Sequence, residues 1–288
     1  MQRNVLLGVD HHHMAHESNI ILHHNMKIAF IGIVKNGADY IQRNIEIIRS
    51  LYQDIYIVEN NSTDGTKEIL QRLKNKGTLK NVTTLDLDQK DAMSLCDYNI
   101  NSLCTNRVRR LAYIRQQGLD SVLQSGIKYD YVCMLDLDFI HVDIHEFVDV
   151  VRYMESNKQV DGIFGMSIID GIHLPYDYGA IKPIYKILPV YFNIKRYITV
   201  DSAFSGFGLY RMSSIQETGA RYDYENIIYI EHEHFNSYFN NLIVDTHFRP
   251  IYNIDKSNVI RFMFILISVF CILLYTCHLL RRVRASYS

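Results

Sequence analysis

Two carboxylates separated by one residue, Asp136 and Asp138, stand at the end of the apolar run Tyr129–Leu135. Carboxylates crowded at the end of a hydrophobic strand are unfavourable unless positive charge neutralises them. Hard oxygen ligands suit Mn²⁺ or Mg²⁺, which keep further coordination positions for phosphate oxygens and water. The pair therefore predicts a divalent cation site that offsets the charge of a diphosphate leaving group. An acidic turn that only ends the strand is the alternative.

A second acidic cluster begins at Glu59, which follows the apolar run 54–58 and precedes the turn-forming residues 60–66. An acidic side chain at a strand end, beside a tight turn into a helix, can accept hydrogen bonds from a base ring N–H and from ribose hydroxyls. Glu59 and Asp64 are therefore candidate nucleotide-binding residues. The alternative is an ordinary turn in which Asp64 caps the following helix.

The third cluster is the run Glu231, His232, Glu233 and His234. A carboxylate in a site can take the proton of an acceptor hydroxyl, and a neutral histidine can bind a metal ion. We predict Glu231 as the catalytic base and His232 as a cation ligand, with Glu233 and His234 as their substitutes. A solvated, charged helix start is the alternative, and the spacing does not fit the zinc-binding helix of a metalloprotease.

The elements that must position these clusters alternate along the first half of the chain. Apolar runs at 27–34, 54–58, 81–87 and 129–135 predict strands, and helical spacing predicts helices over 38–51, 66–77 and 106–124. This order predicts an α/β fold with a mostly parallel sheet and helices on both faces. Ligands of such sheets bind at the carboxyl ends of the strands, where the first two clusters fall. After about residue 161 helices become scarce, which indicates a second subregion packed on the first.

The segment 262–280 has 19 residues without a formal charge and is followed by three arginines within four residues. At about 1.5 Å per residue it nearly crosses a hydrocarbon core of about 30 Å, so it predicts a transmembrane helix over 259–281 with a basic tail over 282–288. No secretory signal precedes the domain, and the five cysteines are scattered as in reduced proteins. We therefore expect a single-pass membrane protein with a cytosolic catalytic domain.

Composition excludes some functions. The net charge of −1 gives no basic excess, so no nucleic-acid partner is expected. Residues 1–26 form a histidine-rich leader that we expect to be disordered, and 27–258 should hold the catalytic domain. Within that domain, 27–140 is the predicted nucleotide-binding half and 141–258 the predicted acceptor half.

Several of these patterns resemble family 2-type GT-A glycosyltransferases of the viral and microbial surface-glycan kind. The stretch VENNSTDGT at 58–66 looks like their first nucleotide-binding turn, and 111–139 is similar to their Arg-containing helix followed by a strand ending in D-x-D. The likeness covers about residues 27–140, with the motifs in the family's order. Glu59 and Asn60 replace the usual Asp-Asp, and Gln116 stands where Asn is common, so the nucleotide base stays open.

The resemblance implies a metal-dependent enzyme that moves a sugar from a nucleotide-diphosphate sugar to a glycan, glycoprotein or lipid-linked acceptor at a membrane. Glu231–Phe235 resembles a late segment that supplies the base and often a metal ligand, and the stretch around Gly206 looks like the strand lining the donor sugar. A plain bulged strand is the alternative for Gly206. The implied nucleotide-sugar site comprises Glu59, Asp64, Arg115, Asp136 and Gly206. The implied metal ligands are Asp136, Asp138 and His232.

Two other functions stay open at this stage. A phosphohydrolase of the haloacid-dehalogenase type also places Asp-x-Asp after an apolar strand, although usually earlier in the chain. A catalytically inactive, membrane-bound glycan-binding protein is the other alternative. Nucleotide-sugar consumption with and without Mn²⁺ distinguishes both from a transferase.

Overall fold

The computed structural model describes residues 26–51, 54–87, 105–171, 176–224 and 230–253. Its strands are β1 Ile28–Val34, β2 Asp54–Asn60, β3 Asn81–Leu85, β4 Tyr131–Asp136, β5 Phe139–His141, β6 Gly162–Gly165, β7 Ile168–Ile169, β8 Tyr197–Val200, β9 Phe207–Arg211, β10 Leu242–Asp245 and β11 Ile251–Tyr252. Its α-helices are α1 Ile41–Arg49, α2 Thr66–Asn75, α3 Thr105–Leu123, α4 Ile144–Ser156, α5 Ile187–Tyr191, α6 Met212–Thr218 and α7 Glu231–Asn236. Short 3-10 turns cover Tyr178–Ala180 and Ile184–Lys186.

Strand β1 is apolar throughout because both faces of the sheet are covered. Ile28 and Phe30 belong to a core cluster that includes Ile45 of α1, whereas Ala29 and Ile31 belong to a second cluster that includes Leu119 of α3. Successive strand side chains point to opposite faces, so the two clusters lie on opposite sides of the sheet. The expected helices on both faces are therefore present.

The main sheet has eight strands in the order β3-β2-β1-β4-β9-β6-β10-β8. The first four strands are mutually parallel, but β9 runs antiparallel to both β4 and β6, and β8 runs antiparallel to β10. The sheet is thus mixed: six of its eight strands run in one direction, as in a mostly parallel sheet, and β8 and β9 run against them. Parallel neighbours need long crossover connections, usually helices, and the second half of the chain supplies few of them. A smaller sheet has the order β5-β11-β7.

Among the described residues no helix is long and apolar enough to cross a membrane. The longest, α3, carries four arginines and one aspartate in 19 residues, and such charges are costly in hydrocarbon. This finding overturns the transmembrane part of the predicted fold class and the single-pass membrane localisation with a cytosolic domain. The segments 259–281 and 282–288, the leader 1–25 and the loop 88–104 lie outside the described residues. Cys133 is a buried free thiol, whereas the other four cysteines lie outside the described residues.

Candidate active site

The first two acidic clusters meet at one edge of the main sheet. In the strand register, Ile33 of β1 lies beside Asp136 of β4, and Val34 of β1 lies beside Glu59 of β2. Neighbouring strands are about 4.8 Å apart, so the two acidic positions, which flank β1, are separated by about 10 Å. The carboxyl ends of β2 and β4 therefore form two sides of one site.

Arg115 joins the second half of the chain to this site. Its side chain projects from α3 and is only 3% exposed, with Nη2 at 2.8 Å from Asp136 Oδ1 and Nε at 3.5 Å from Glu231 Oε1. The guanidinium carbon also lies 4.6 Å from the centre of the Phe204 ring. Burial opposes the charge of Arg115, but the carboxylates of Asp136 and Glu231 outweigh it and raise its pKa. Three predicted site residues thus share one buried ion-pair network.

Asp138 lies two residues after Asp136, just past the end of β4. Its side chain reaches solvent but is surrounded by protein atoms, and this desolvation, together with the charge of Asp136, raises its pKa to about 6. The crowding expected of two neighbouring carboxylates is therefore present. A cation between them would relieve it.

The turn that carries Asp138 is fixed by α1. Asn44 is fully buried, and its Nδ2 donates to the carbonyl oxygens of Leu137 at 2.6 Å and Phe139 at 2.7 Å. Leu137 packs against β1, where a side chain on Gly32 would collide with it. Asn44 was not among the predicted site residues. Its signal in the sequence was a polar side chain on the buried face of α1, three residues after Ile41.

Glu59 is a buried acceptor at the end of β2. It is 0% exposed, its Oε1 accepts a hydrogen bond from the backbone N–H of Ser62 at 2.6 Å, and its Oε2 has no hydrogen-bond partner within the described part of the chain. A buried carboxylate oxygen without a partner is costly, and a ligand donor would remove that cost. Glu59 therefore has the properties of a ligand-binding residue.

Asp64 is exposed and is engaged by the chain itself. Its Oδ1 accepts from Thr66 Oγ1 at 2.5 Å, and its Oδ2 accepts from the backbone N–H of Ala38 at 2.9 Å. The hydrogen bond from the Thr66 side chain is the main reason that the pKa of Asp64 is lowered. Asp64 therefore joins the loop between β1 and α1 to the loop between β2 and α2, beside Glu59.

The start of α7 is buried and is not the solvated helix start considered as an alternative. Glu231 is 5% exposed, and burial raises its pKa against the opposing charge of Arg115. His232 is 1% exposed, its ring is stacked on Phe204 at 3.3 Å between centroids, and its Nδ1 lies 3.1 Å from Tyr222 Oη. Burial lowers the pKa of His232 well below its usual range, so the ring is neutral.

The predicted metal ligands are not gathered into one set. The described residues contain no group of three or more His, Cys, Asp and Glu side chains that could hold a metal ion. Asp136 is paired with Arg115, and the ring of His232 contacts Phe204 and Tyr222. Asp136 and Asp138 remain as an oxygen-donor pair, the kind of ligand that Mn²⁺ and Mg²⁺ prefer.

The two substitutes on α7 have other neighbours. Glu233 Oε2 lies 3.6 Å from Lys182 Nζ, and the ring of His234 packs edge-on against Tyr238. Neither residue joins the ion-pair network around Arg115 within the described part of the chain. Glu231 is therefore the better placed of the two predicted bases.

Gly206 supports Asp136 from the neighbouring strand. It has φ +76°, and its carbonyl oxygen accepts from the backbone N–H of Asp136 at 2.9 Å and from Tyr252 Oη at 2.9 Å. A Cβ at this position would lie 2.6 Å from the Tyr252 hydroxyl. The glycine thus allows the end of β4, the start of β9 and β11 to approach closely.

Two further residues near the site were missing from the predictions. Tyr176 stacks on Tyr252 at 4.3 Å, and burial together with the charges of Glu231 and Asp136 raises the pKa of the adjacent Asp177 to about 7. Asp177 also has φ +49°, an unusual conformation for a residue other than glycine. Neither lies in a recognisable motif, because their proximity to the site arises only from the tertiary fold.

No protein-family model matches the chain, and a search of curated proteins finds no match. Among solved structures, S. aureus TarS 1-349 in complex with UDP is 15% identical, covers 80% of this chain and 61% of its own, and has a TM-score of 0.53. The mannosyltransferase PcManGT from Pyrobaculum calidifontis, in complex with GDP-Man and Mn²⁺, is 13% identical, covers 80% and 57%, and has a TM-score of 0.50. The chain thus spans about three-fifths of these proteins. The predicted GT-A fold is confirmed.

Proposed function

We propose that this chain, which has the GT-A fold, is a glycosyltransferase that moves a sugar from a nucleotide-diphosphate sugar to an acceptor hydroxyl. One observation carries the proposal: Arg115 links Asp136 at the end of β4 to Glu231 on α7. Across β1 lies Glu59, whose buried Oε2 has no hydrogen-bond partner within the described residues. The UDP and the GDP-Man in the two similar structures support a nucleotide-sugar donor.

The donor side of the site is formed by β2 and β4. Glu59 is assigned to the base, because its buried Oε2 can accept a ring N–H. Asp136, about 10 Å away across β1, is assigned to the ribose side of the diphosphate. Asp64 is assigned to the same nucleotide site through the loops that it holds together, and Gly206 to the wall beside Asp136.

A divalent cation fits the paired carboxylates. Asp136 and Asp138 are oxygen donors, and desolvation together with the charge of Asp136 raises the pKa of Asp138, so a cation beside them would stabilise the ionised pair. Two side chains leave most coordination positions to diphosphate oxygens and water, as is usual for Mg²⁺. When bound, Mn²⁺ or Mg²⁺ would neutralise the charge on the leaving diphosphate. The Nδ1 of His232 contacts Tyr222 and its Nε2 has no hydrogen-bond partner within the described residues, so a role for His232 as a further ligand stays a prediction.

Glu231 is proposed as the base of an inverting displacement. Its burial raises its pKa, which brings a carboxylate closer to the proton affinity that a general base needs near neutral pH. Arg115 acts against this rise, because the neighbouring guanidinium favours the charged form of the carboxylate. The acceptor class remains open among glycans, glycoproteins and lipid-linked sugars.

The phosphohydrolase alternative fits the geometry less well. An enzyme of that type needs the first aspartate of the pair as a nucleophile, and here Asp136 is held in a 2.8 Å ion pair with the buried Arg115. A glycan-binding protein without activity would not need Glu231 buried beside that arginine. Both alternatives remain outcomes of the experiment that follows.

The test is the release of nucleoside diphosphate from a panel of UDP- and GDP-type sugar donors, with Mn²⁺, with Mg²⁺ and with EDTA. We expect slow, cation-dependent release from one donor, and faster release once an acceptor is present. Asp138→Asn keeps the shape of the side chain and removes its charge. This variant should lose the cation-dependent part of the nucleoside diphosphate release. Hydrolysis of a phosphomonoester instead, or neither binding nor release with any donor, would refute the proposal.

A further inference from the structure

The turn that presents Asp138 is held by a single side chain from another element. The amide of Asn44 donates to the backbone oxygen that precedes Asp138 in sequence, on Leu137, and to the one that follows it, on Phe139. The two distances, 2.6 and 2.7 Å, are short for N–H···O bonds. Asn44 is 0% exposed, so water does not compete for these carbonyls.

The orientation of that amide is also fixed. Arg43 Nε donates to Asn44 Oδ1 at 2.9 Å, which identifies the oxygen and turns the NH₂ group towards the turn. Arg43 Nη2 donates in addition to the Phe139 carbonyl at 3.1 Å. Two consecutive residues of α1 therefore hold the backbone on both sides of Asp138, while neither contacts the Asp138 carboxylate.

A buried asparagine on the apolar face of a helix is costly unless it serves these two carbonyls. An apolar residue at position 44 would continue the pattern of Ile41, Ile45 and Ile48, all of which are buried. The buried amide of Asn44 instead stabilises the backbone conformation around the exposed Asp138. Packing alone does not require this, since Leu137 already anchors the turn against Gly32.

We propose that Asn44 is a positioning residue, which aims the Asp138 carboxylate at the cation and diphosphate of the donor. The inference rests on the proposed function, because it takes Asp138 as a cation ligand. Partners that orient ligating carboxylates typically contribute about 10- to 100-fold to metal affinity. Asn44→Leu should therefore weaken Mn²⁺ binding about tenfold or more, and a high Mn²⁺ concentration should restore donor turnover in Asn44→Leu but not in Asp138→Asn.

The experiment measures Mn²⁺ affinity by water-proton relaxation, with Mn²⁺ alone and again with UDP or GDP, in the full chain. Asn236→Leu is the matched control, because Asn236 is also 0% exposed and its Nδ2 also donates to two acceptors, Ser202 Oγ at 2.9 Å and the Ala203 carbonyl at 2.7 Å. Both leucine variants should lower Tm, and only Asn44→Leu should lower Mn²⁺ affinity. Asp138→Asn defines the share of the affinity that belongs to Asp138.

The outcomes separate the two proposals. If Asp138→Asn weakens Mn²⁺ binding and Asn44→Leu stays within twofold of wild type, the inference is wrong and the proposed function stands. Equal losses in Asn44→Leu and Asn236→Leu would also overturn it, since the effect would be general instability. Unchanged affinity in Asp138→Asn would overturn the cation assignment and the inference together. Should Asn44→Leu not fold, Arg43→Leu on the exposed side of α1 replaces it, with a smaller loss in the same direction expected.

Discussion

Replacing Arg115 by methionine removes the positive charge that lies between Asp136 and Glu231. The side chain is 3% exposed and Glu231 is 5% exposed, so water cannot substitute for the lost partner. Removing one member of a buried ion pair typically costs about 3–5 kcal/mol, because the remaining charge is left uncompensated. We expect Arg115→Met to lower the free energy of unfolding by about this amount at pH 8, and to abolish donor turnover.

The pH dependence of that loss identifies its cause. The charge of Arg115 lowers the pKa of Glu231 and of Asp138, although desolvation leaves both raised, Asp138 to about 6. Without Arg115 both folded-state pKa values rise further. A carboxyl group with a higher pKa in the folded than in the unfolded state costs stability as the pH rises through the folded value. The deficit of the variant should therefore grow between pH 5 and pH 8, by up to about 1.4 kcal/mol per pH unit for the buried Glu231. The contribution of the exposed Asp138 should be smaller, because water screens its charge.

Urea unfolding at pH 5 and pH 8 measures the deficit. Arg211→Met is the matched control, because Arg211 is also stacked on an aromatic ring, that of Tyr131, and donates to the carbonyls of Val160 and Met154. Backbone carbonyls do not titrate, so the loss of unfolding free energy in Arg211→Met should be equal at the two pH values. A deficit for Arg115→Met that is the same at pH 5 and pH 8, or smaller at pH 8, would refute the uncompensated-charge reasoning.

Three further predictions concern single residues. Glu231→Gln should lower turnover by about 10² to 10⁴-fold with little change in donor affinity, since the amide keeps the shape and cannot accept a proton. Single-turnover kinetics separate the chemical step from donor binding, and an unchanged turnover would show that another residue is the base. Asp138→Asn should remove the Mn²⁺ dependence of donor release, and a cation response like that of wild type would contradict the assignment. Gly206→Ala should destabilise the fold by about 1–3 kcal/mol, because of its φ of +76° and the Tyr252 hydroxyl 2.6 Å from the new Cβ; an unchanged Tm would show that β9 and β11 adjust freely.

Local patterns in the sequence predicted the elements of the nucleotide-binding half. The helix expected over 106–124 is Thr105–Leu123, and the strand expected over 27–34 is Ile28–Val34. These predictions succeed because helical spacing and short apolar runs are properties of neighbouring residues. The same patterns predicted an α/β fold, and the resemblance of the acidic motifs to those of GT-A glycosyltransferases implied the GT-A fold that the solved structures confirm.

Pairing between distant segments was not predictable in the same way. Strand β9 inserts antiparallel between β4 and β6, far from either in sequence, so the sheet is mixed. The predicted C-terminal transmembrane helix depended on local hydropathy and on the arginines that follow it, and among the described residues no helix is long and apolar enough to cross a membrane. His232 was predicted as a metal ligand, and the sequence did not predict that its ring would stack on Phe204.

The sequence by itself determined which residues can do chemistry here: two carboxylates at the end of β4, one near the end of β2 and an acidic pair on α7. Only the tertiary structure decided how they are used, because Arg115 and Glu231 lie 116 residues apart and Asn44 meets Leu137 from 93 residues away. Residue type sets the ordinary pKa of each side chain and the hydrogen bonds that it can make. Burial and the neighbours brought by the fold then decide which charge is kept, which is paired and which faces the ligand.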